Sequence, residues 1–262
     1  MSDMAPAGAS DPMRMASSPS IESRAALALL AVLSVVAGST DIIGFLGLNG
    51  LFTARVTGNL AVLAAHIVAG GEGQFAQLLS VPVFMAMVGL TSLLAGGLES
   101  IGVASLRPLL LLQFLLLAGF LSVCVAADPR VDPNATKLLL AGMLGVSAMA
   151  VQNALVQISL KGAPSTAIMT TNVTRFAADI GQLLLGGNLA EVAKARNRAA
   201  RTLPVIIGFA VGCGIGAACE AAVGLRSLVL PAGLALLAFA LGFAIEPVAD
   251  RACAAVQLRL PA

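Results

Sequence analysis

The chain has 262 residues, of which 58% are hydrophobic and 11% charged, with a formal net charge of +2 and a mean hydropathy of +0.97. A soluble domain carries about 25% charged residues, so this composition excludes a water-facing globule and points to an all-α, polytopic transmembrane bundle with the lipid bilayer as its main partner. The small net charge excludes a nucleic-acid partner, and four cysteines without a CxxC pair beside a single histidine exclude a Cys/His metal or haem site, so no cofactor is expected.

Residues 1–23 are rich in Ser, Pro, Ala and Met and read as a disordered cytoplasmic tail. A cleaved signal peptide ending near Ala37-Gly38-Ser39 is the rival reading. It fits less well, because the apolar run continues past Asp41 to Leu48, beyond the roughly 7–15 residues of a signal core. A membrane span needs about 20 largely apolar residues. Six runs meet this: 25–48, 75–98, 107–127, 137–160, 202–223 and 227–246. Runs 51–70 and 164–187 are also apolar, but each opens on Thr with Gly or Asn and carries ionisable groups inside. Gly70-Gly71-Glu72-Gly73, 128–133 and Lys161-Gly162-Ala163-Pro164 are turn chemistry. The run from Glu191 to Arg201 holds Lys194, Arg196, Arg198 and Arg201 and marks a cytoplasmic connection by the positive-inside bias. Residues 24–250 then form one transmembrane domain, and 251–262 a short C-terminal tail.

The chain repeats itself. Thr53-Ala54 and Thr57-Gly58-Asn59 recur as Thr166-Ala167 and Thr170-Thr171-Asn172, at an offset of 113. Pro82-Val83 recurs as Pro204-Val205, Glu99 as Glu220, and Leu106-Arg107 as Leu225-Arg226. The matches define an internal duplication with halves at 24–127 and 137–246. The loop near residue 72 lacks Lys and Arg while its counterpart near 195 has four, which favours an inverted repeat of six spans plus two broken or re-entrant helices. Eight spans in a parallel repeat are the alternative. Arg130 and Lys137 would fall outside in the inverted plan and count against it. The N-terminus is cytoplasmic in both.

Polar residues on otherwise apolar helices mark the candidate site. At helical spacing Asn59 and His66 share a face, as do Asn172, Arg175 and Asp179. An ionisable group at the bilayer centre costs about 2.5–3.5 kcal/mol on insertion scales, so such groups face the protein interior or a water path. Thr57 and Thr170 lie near helix starts, whose free N–H groups suit an anionic or hydrogen-bonding solute. Two such starts brought together would form a small polar site, with Asp179 compensating Arg175. In the blander reading Arg175 and Asp179 neutralise each other, and Asn59 and Asn172 only cap helices. Asp41 is either a coupling site or a structural partner for Arg55; snorkelling to an interface is the other reading of Arg55 and that of Arg107. Gly208, Gly212 and Gly216, at four-residue spacing, are helix-packing positions within the fold; a dimer face is the other use, which leaves a homo-oligomer open. No catalytic motif stands out.

Asp41-Ile42-Ile43-Gly44-Phe45, Phe52 and Thr57-Gly58-Asn59-Leu60, with Gln152-Asn153-Ala154 and Thr170 to Thr174, resemble the YoaK family (domain of unknown function 1275). The resemblance covers residues 24–250 and implies a bacterial cytoplasmic (inner) membrane protein of about six spans. Thr171 departs from it, since the family often has Gly there. The resemblance implies no substrate. The residues themselves leave three readings: a transporter or permease for a small polar or anionic solute, a non-transporting scaffold assembled through the glycine face, and, least supported, a membrane-embedded enzyme. In the first, Asn59, His66, Asn172, Arg175, Asp179, Asp41, Thr57 and Thr170 line the pathway.

Overall fold

A computed structural model describes residues 21–69, 75–126 and 135–245. Residues 1–20 of the expected N-terminal tail, the C-terminal tail, the glycine turn at 70–73 and the 128–133 turn lie outside the described residues, while 21–23, expected in the tail, already belong to the first helix. Among the described residues every regular element is a helix: α1 (Ile21–Gly47), α2 (Val56–Val68), α3 (Phe75–Ser100), α4 (Leu106–Ala126), α5 (Ala135–Ser159), α6 (Met169–Leu185), α7 (Leu189–Val223) and α8 (Val229–Leu241), with short 3-10 turns at Gly224–Leu228 and Gly242–Ala244. Five continuous stretches are long and apolar enough to cross a membrane, and the chain is a multi-pass membrane protein.

Close contacts fix the direction of each helix. A Cβ on Gly208 would lie 2.9 Å from Ala31 O, one on Gly212 2.9 Å from Val35 Cα, and one on Gly216 2.9 Å from Ser39 Cα. Both numbers climb together, so α1 and α7 run side by side in the same direction, with glycines letting their backbones meet. Gly47 meets Leu225, so α8 starts beside the end of α1 and runs back. Arg107 Nε donates to Gly242 O at 3.3 Å, so α4 starts where α8 ends. Gln113 bonds Gln152 at 2.7 Å and Ser105 bonds Ser159 at 3.0 Å, so α5 runs against α4. Ser105 also donates to Glu99 at 3.3 Å, which puts the end of α3 beside the end of α5. The last apolar stretch, Leu189–Ala244, covers 56 residues but reverses at the 3-10 turn, and its returning run joins α8 to the 3-10 turns at Gly224–Leu228 and Gly242–Ala244. The pairings follow a pattern: α1 packs on α7 as α5 packs on α3, α1 on α8 as α5 on α4, and α6 on α7 as α2 on α3.

Helices α2 and α6, of 13 and 17 residues, start inside the bundle rather than at one of its ends. At 13 residues, α2 spans about 20 Å, short of the roughly 30 Å hydrocarbon core. The residues before each helix turn back into the bundle, one from each face. Thr53 Cγ2 would lie 3.0 Å from a Cβ on Gly145, and Thr166 Oγ1 accepts from Gln152 Nε2 at 2.8 Å. Those two α5 positions lie either side of its middle and are separated by about 10 Å of helix rise. The two re-entrant tips therefore approach the mid-depth of the bundle from opposite sides. Between them Ala148 and Met149 are fully buried, in one apolar cluster with Ala54, Ala167, Leu117 and Phe120.

The cationic run 191–201, expected as a connection, is the first part of α7. Asn188 caps it by accepting from Ala190 N at 3.0 Å, and Lys194 pairs with Glu191 one turn away at 3.1 Å. An alanine-rich segment with such a cap and pair favours helix. In register with α1, these residues extend past its N-terminal end.

Candidate functional site

Non-helical backbone at membrane depth is tolerated only where its N–H and C=O groups find partners or line a water-filled space. In the first half the partners are side chains. Asn59 Oδ1 accepts from Phe52 N, and its Nδ2 donates to Phe52 O, both at 2.8 Å. Nδ2 also donates to Ser80 Oγ at 2.8 Å. Gln77 donates to Asn49 O at 3.2 Å. Asp41, fully buried, accepts from Ala54 N at 2.8 Å and Arg55 N at 3.3 Å, and its other oxygen pairs with Arg55 Nε at 2.5 Å. The Arg55 guanidinium lies 4.4 Å over the Phe52 ring, which stacks on Phe45. Asp41 thus takes the structural position beside Arg55, and Arg55 lies at depth. Arg107, by contrast, is held by Gly242 O and the Phe243 ring.

The second half repeats part of this. Asn172 Nδ2 donates to Ser165 O at 2.5 Å, the same seven-residue reach as Asn59 to Phe52. Ser165 Oγ accepts from Ala167 N at 3.3 Å and Ile168 N at 3.1 Å, and Gln152 holds Thr166. The offset of 113 replaces Phe52 by Ser165 and Gly58 by Thr171. A Cβ on Gly58 would lie 3.2 Å from the Phe52 ring, so glycine makes room for the ring. With serine in place of that ring, threonine fits, which accounts for Thr171. The space is left as a recess of about 180 Å³ lined by Asn153, Gln157, Ser165, Thr171, Asn172 and Arg175, with Val156, Ala163 and Ile168.

The expected site residues are not brought together as one cluster. Asn59 and Asn172 each clamp their own tip and are buried; they do not combine. His66 is half-buried on α2, while Thr57 and Thr170 are exposed. Asp179 does not compensate Arg175. It pairs with Arg198 of α7 at 2.6 Å, because α7 extends far enough to lie beside α6. Arg175 is exposed at the recess and has no ion-pair partner among the described residues. Gly208, Gly212 and Gly216 pack against α1 within the fold, the use expected of them, and not at the alternative dimer face. Sequence reading missed Gln77, Ser80, Gln113 and Ser165, which tie the tips and their neighbours. Polar side chains inside strongly apolar runs were the available signal.

A family model described as a protein of unknown function (DUF1275) matches residues 29–241. No curated protein and no solved structure matches the chain.

Proposed function

The chain belongs to the DUF1275 family, and we propose that it is a permease of the bacterial cytoplasmic membrane for a small polar or anionic solute, built as an inverted duplication. The observation that carries this reading is the pair of half-helices that start near mid-depth from opposite faces, with Arg55 directly before α2 and Arg175 in the second turn of α6. Arg55 keeps 44% of its side chain exposed, and a guanidinium at depth is costly against hydrocarbon. A water-lined path relieves that cost. Helix starts aimed at mid-depth suit anionic solutes. The paired helix contacts and the recurring sequence support the duplication.

The sides follow from charge. Arg24, Arg107, Lys161, Lys194, Arg196, Arg198 and Arg201 belong to the end where α1 begins; Lys137 and Arg226 belong to the other, with Arg55 on that side at depth and paired to Asp41. The positive-inside bias assigns the first end to the cytoplasm. The recess then opens inward, while the Asp41–Arg55 pair and the Phe52 ring hold the outer side. Apolar packing between the tips has to part for passage. We assign no catalytic role.

The test is flux into proteoliposomes from a panel of small carboxylates, neutral polyols and amides. The wild type moves at least one class faster than empty liposomes, and Arg175→Gln loses about tenfold or more of that rate, as expected when one charge-assisted contact is removed, while inserting normally. Permeability equal to empty liposomes across the panel would contradict the reading in favour of a scaffold.

A further inference from the structure

The recess between the end of α5 and the start of α6 has a polar lining that does not complete itself. Asn172 is 1% exposed, and its Oδ1 has no hydrogen-bond partner among the described residues. The atom facing Ser165 O must be Nδ2, since a carbonyl only accepts, so the unpartnered atom is the oxygen. A buried acceptor left alone is unfavourable, and it lies in a residue that lines the recess. Beside it is a cation, Arg175, with no ion-pair partner among the described residues. The start of α6 completes the lining: Ser165 Oγ takes Ile168 N and Ala167 O takes Met169 N, which leaves the N–H groups of the first turn beyond them and the partial positive charge of a helix start. Thr171 and Gln157 add groups that both donate and accept.

These features ask for different things from one ligand. Arg175 and the helix start ask for an anion; Asn172 Oδ1 asks for a donor. The space, about 180 Å³, is below the roughly 300–1,000 Å³ of a drug-sized pocket. The geometry points to a binding site for a small carboxylate that carries an N–H or O–H group next to its carboxylate. The carboxylate meets Arg175 and the start of α6, and the neighbouring donor meets Asn172 Oδ1. The first half has no such site, because Phe52 and the Asp41–Arg55 pair fill the corresponding space. The assignment rests on the permease reading for its purpose, though not for its geometry.

A lipid headgroup such as phosphatidylserine offers the same chemistry, and we assign the site to the free solute. Calorimetry on the full chain in phosphatidylcholine nanodiscs separates the two, with lactate and propionate as probes that differ by one hydroxyl. Lactate is expected to bind, propionate about tenfold more weakly, and Arg175→Gln to remove both. Thr171→Val, an exposed position, is expected to weaken lactate binding while leaving the melting temperature unchanged. Equal binding of lactate and propionate overturns the donor contact, and binding untouched by Arg175→Gln overturns the site. Silence from lactate, with stabilisation by phosphatidylserine instead, overturns the free-solute assignment. Lactate binding without flux would keep the site and remove the permease reading.

Discussion

Replacing Asp41 by alanine is expected to destabilise the detergent-solubilised protein by about 3 kcal/mol, the scale of breaking a buried pair and orphaning its donors. Asp41 lies inside α1, yet its acceptors serve Ala54 N, Arg55 N and Arg55 Nε. Without it the re-entrant backbone at mid-depth has donors and no acceptor. The full cost of a buried pair is discounted because Arg55 is 44% exposed. Asp41→Asn keeps an acceptor for the backbone and is expected to cost less than alanine. Arg55→Gln leaves a buried carboxylate without its cation and is expected to cost more than an exposed arginine would. Thermal unfolding by intrinsic light scattering ranks the three. Melting of Asp41→Ala at the wild-type temperature would show that the tip does not depend on this carboxylate.

The second large effect is at Gly212. Its Cβ would fall 2.9 Å from Val35 Cα and 3.1 Å from Ser39 N. These are backbone atoms, so no side chain can rotate out of the way. Gly212→Ala is expected to cost about 2 kcal/mol, the usual range of overpacking, and Gly212→Leu to give no folded protein. Gly214, two residues on, has nothing within 4 Å of a Cβ, so Gly214→Ala should be neutral. Expression and monodispersity by size-exclusion chromatography read all three. A folded Gly212→Leu that has only lost an oligomer would place the glycines at an outer surface after all.

Much of the fold is legible in the chain because lipid simplifies the code. Apolar length finds α1, α3, α4, α5 and the last two passes directly. The clusters Thr57-Gly58-Asn59 and Thr170-Thr171-Asn172 mark α2 and α6 as different in kind, since spanning helices have no need of such starts. The start of α7 is harder. Lys194, Arg196, Arg198 and Arg201 look like a loop when charge alone is weighed, while the cap at Asn188 and the alanine spacing carry the helix. The site is less legible than the fold. Helical spacing puts Arg175 and Asp179 on one face, but it cannot know that Arg198 of another helix reaches Asp179. The exchange of Phe52 and Gly58 for Ser165 and Thr171 is visible as letters when the two stretches are set side by side at the offset of 113. Only the packing of the Phe52 ring against Gly58 gives it meaning.

The account depends most on the two half-helices entering from opposite faces. Single cysteines at Ala69 and Asn197, on a background lacking the four native cysteines, test this in intact cells with a membrane-impermeant maleimide. Ala69 follows α2 and Asn197 lies in the early part of α7, both exposed. The account predicts that Ala69→Cys is labelled from outside and Asn197→Cys only after permeabilisation. Labelling of both from the same side would mean that α2 crosses the membrane, and would contradict the six-pass inverted arrangement.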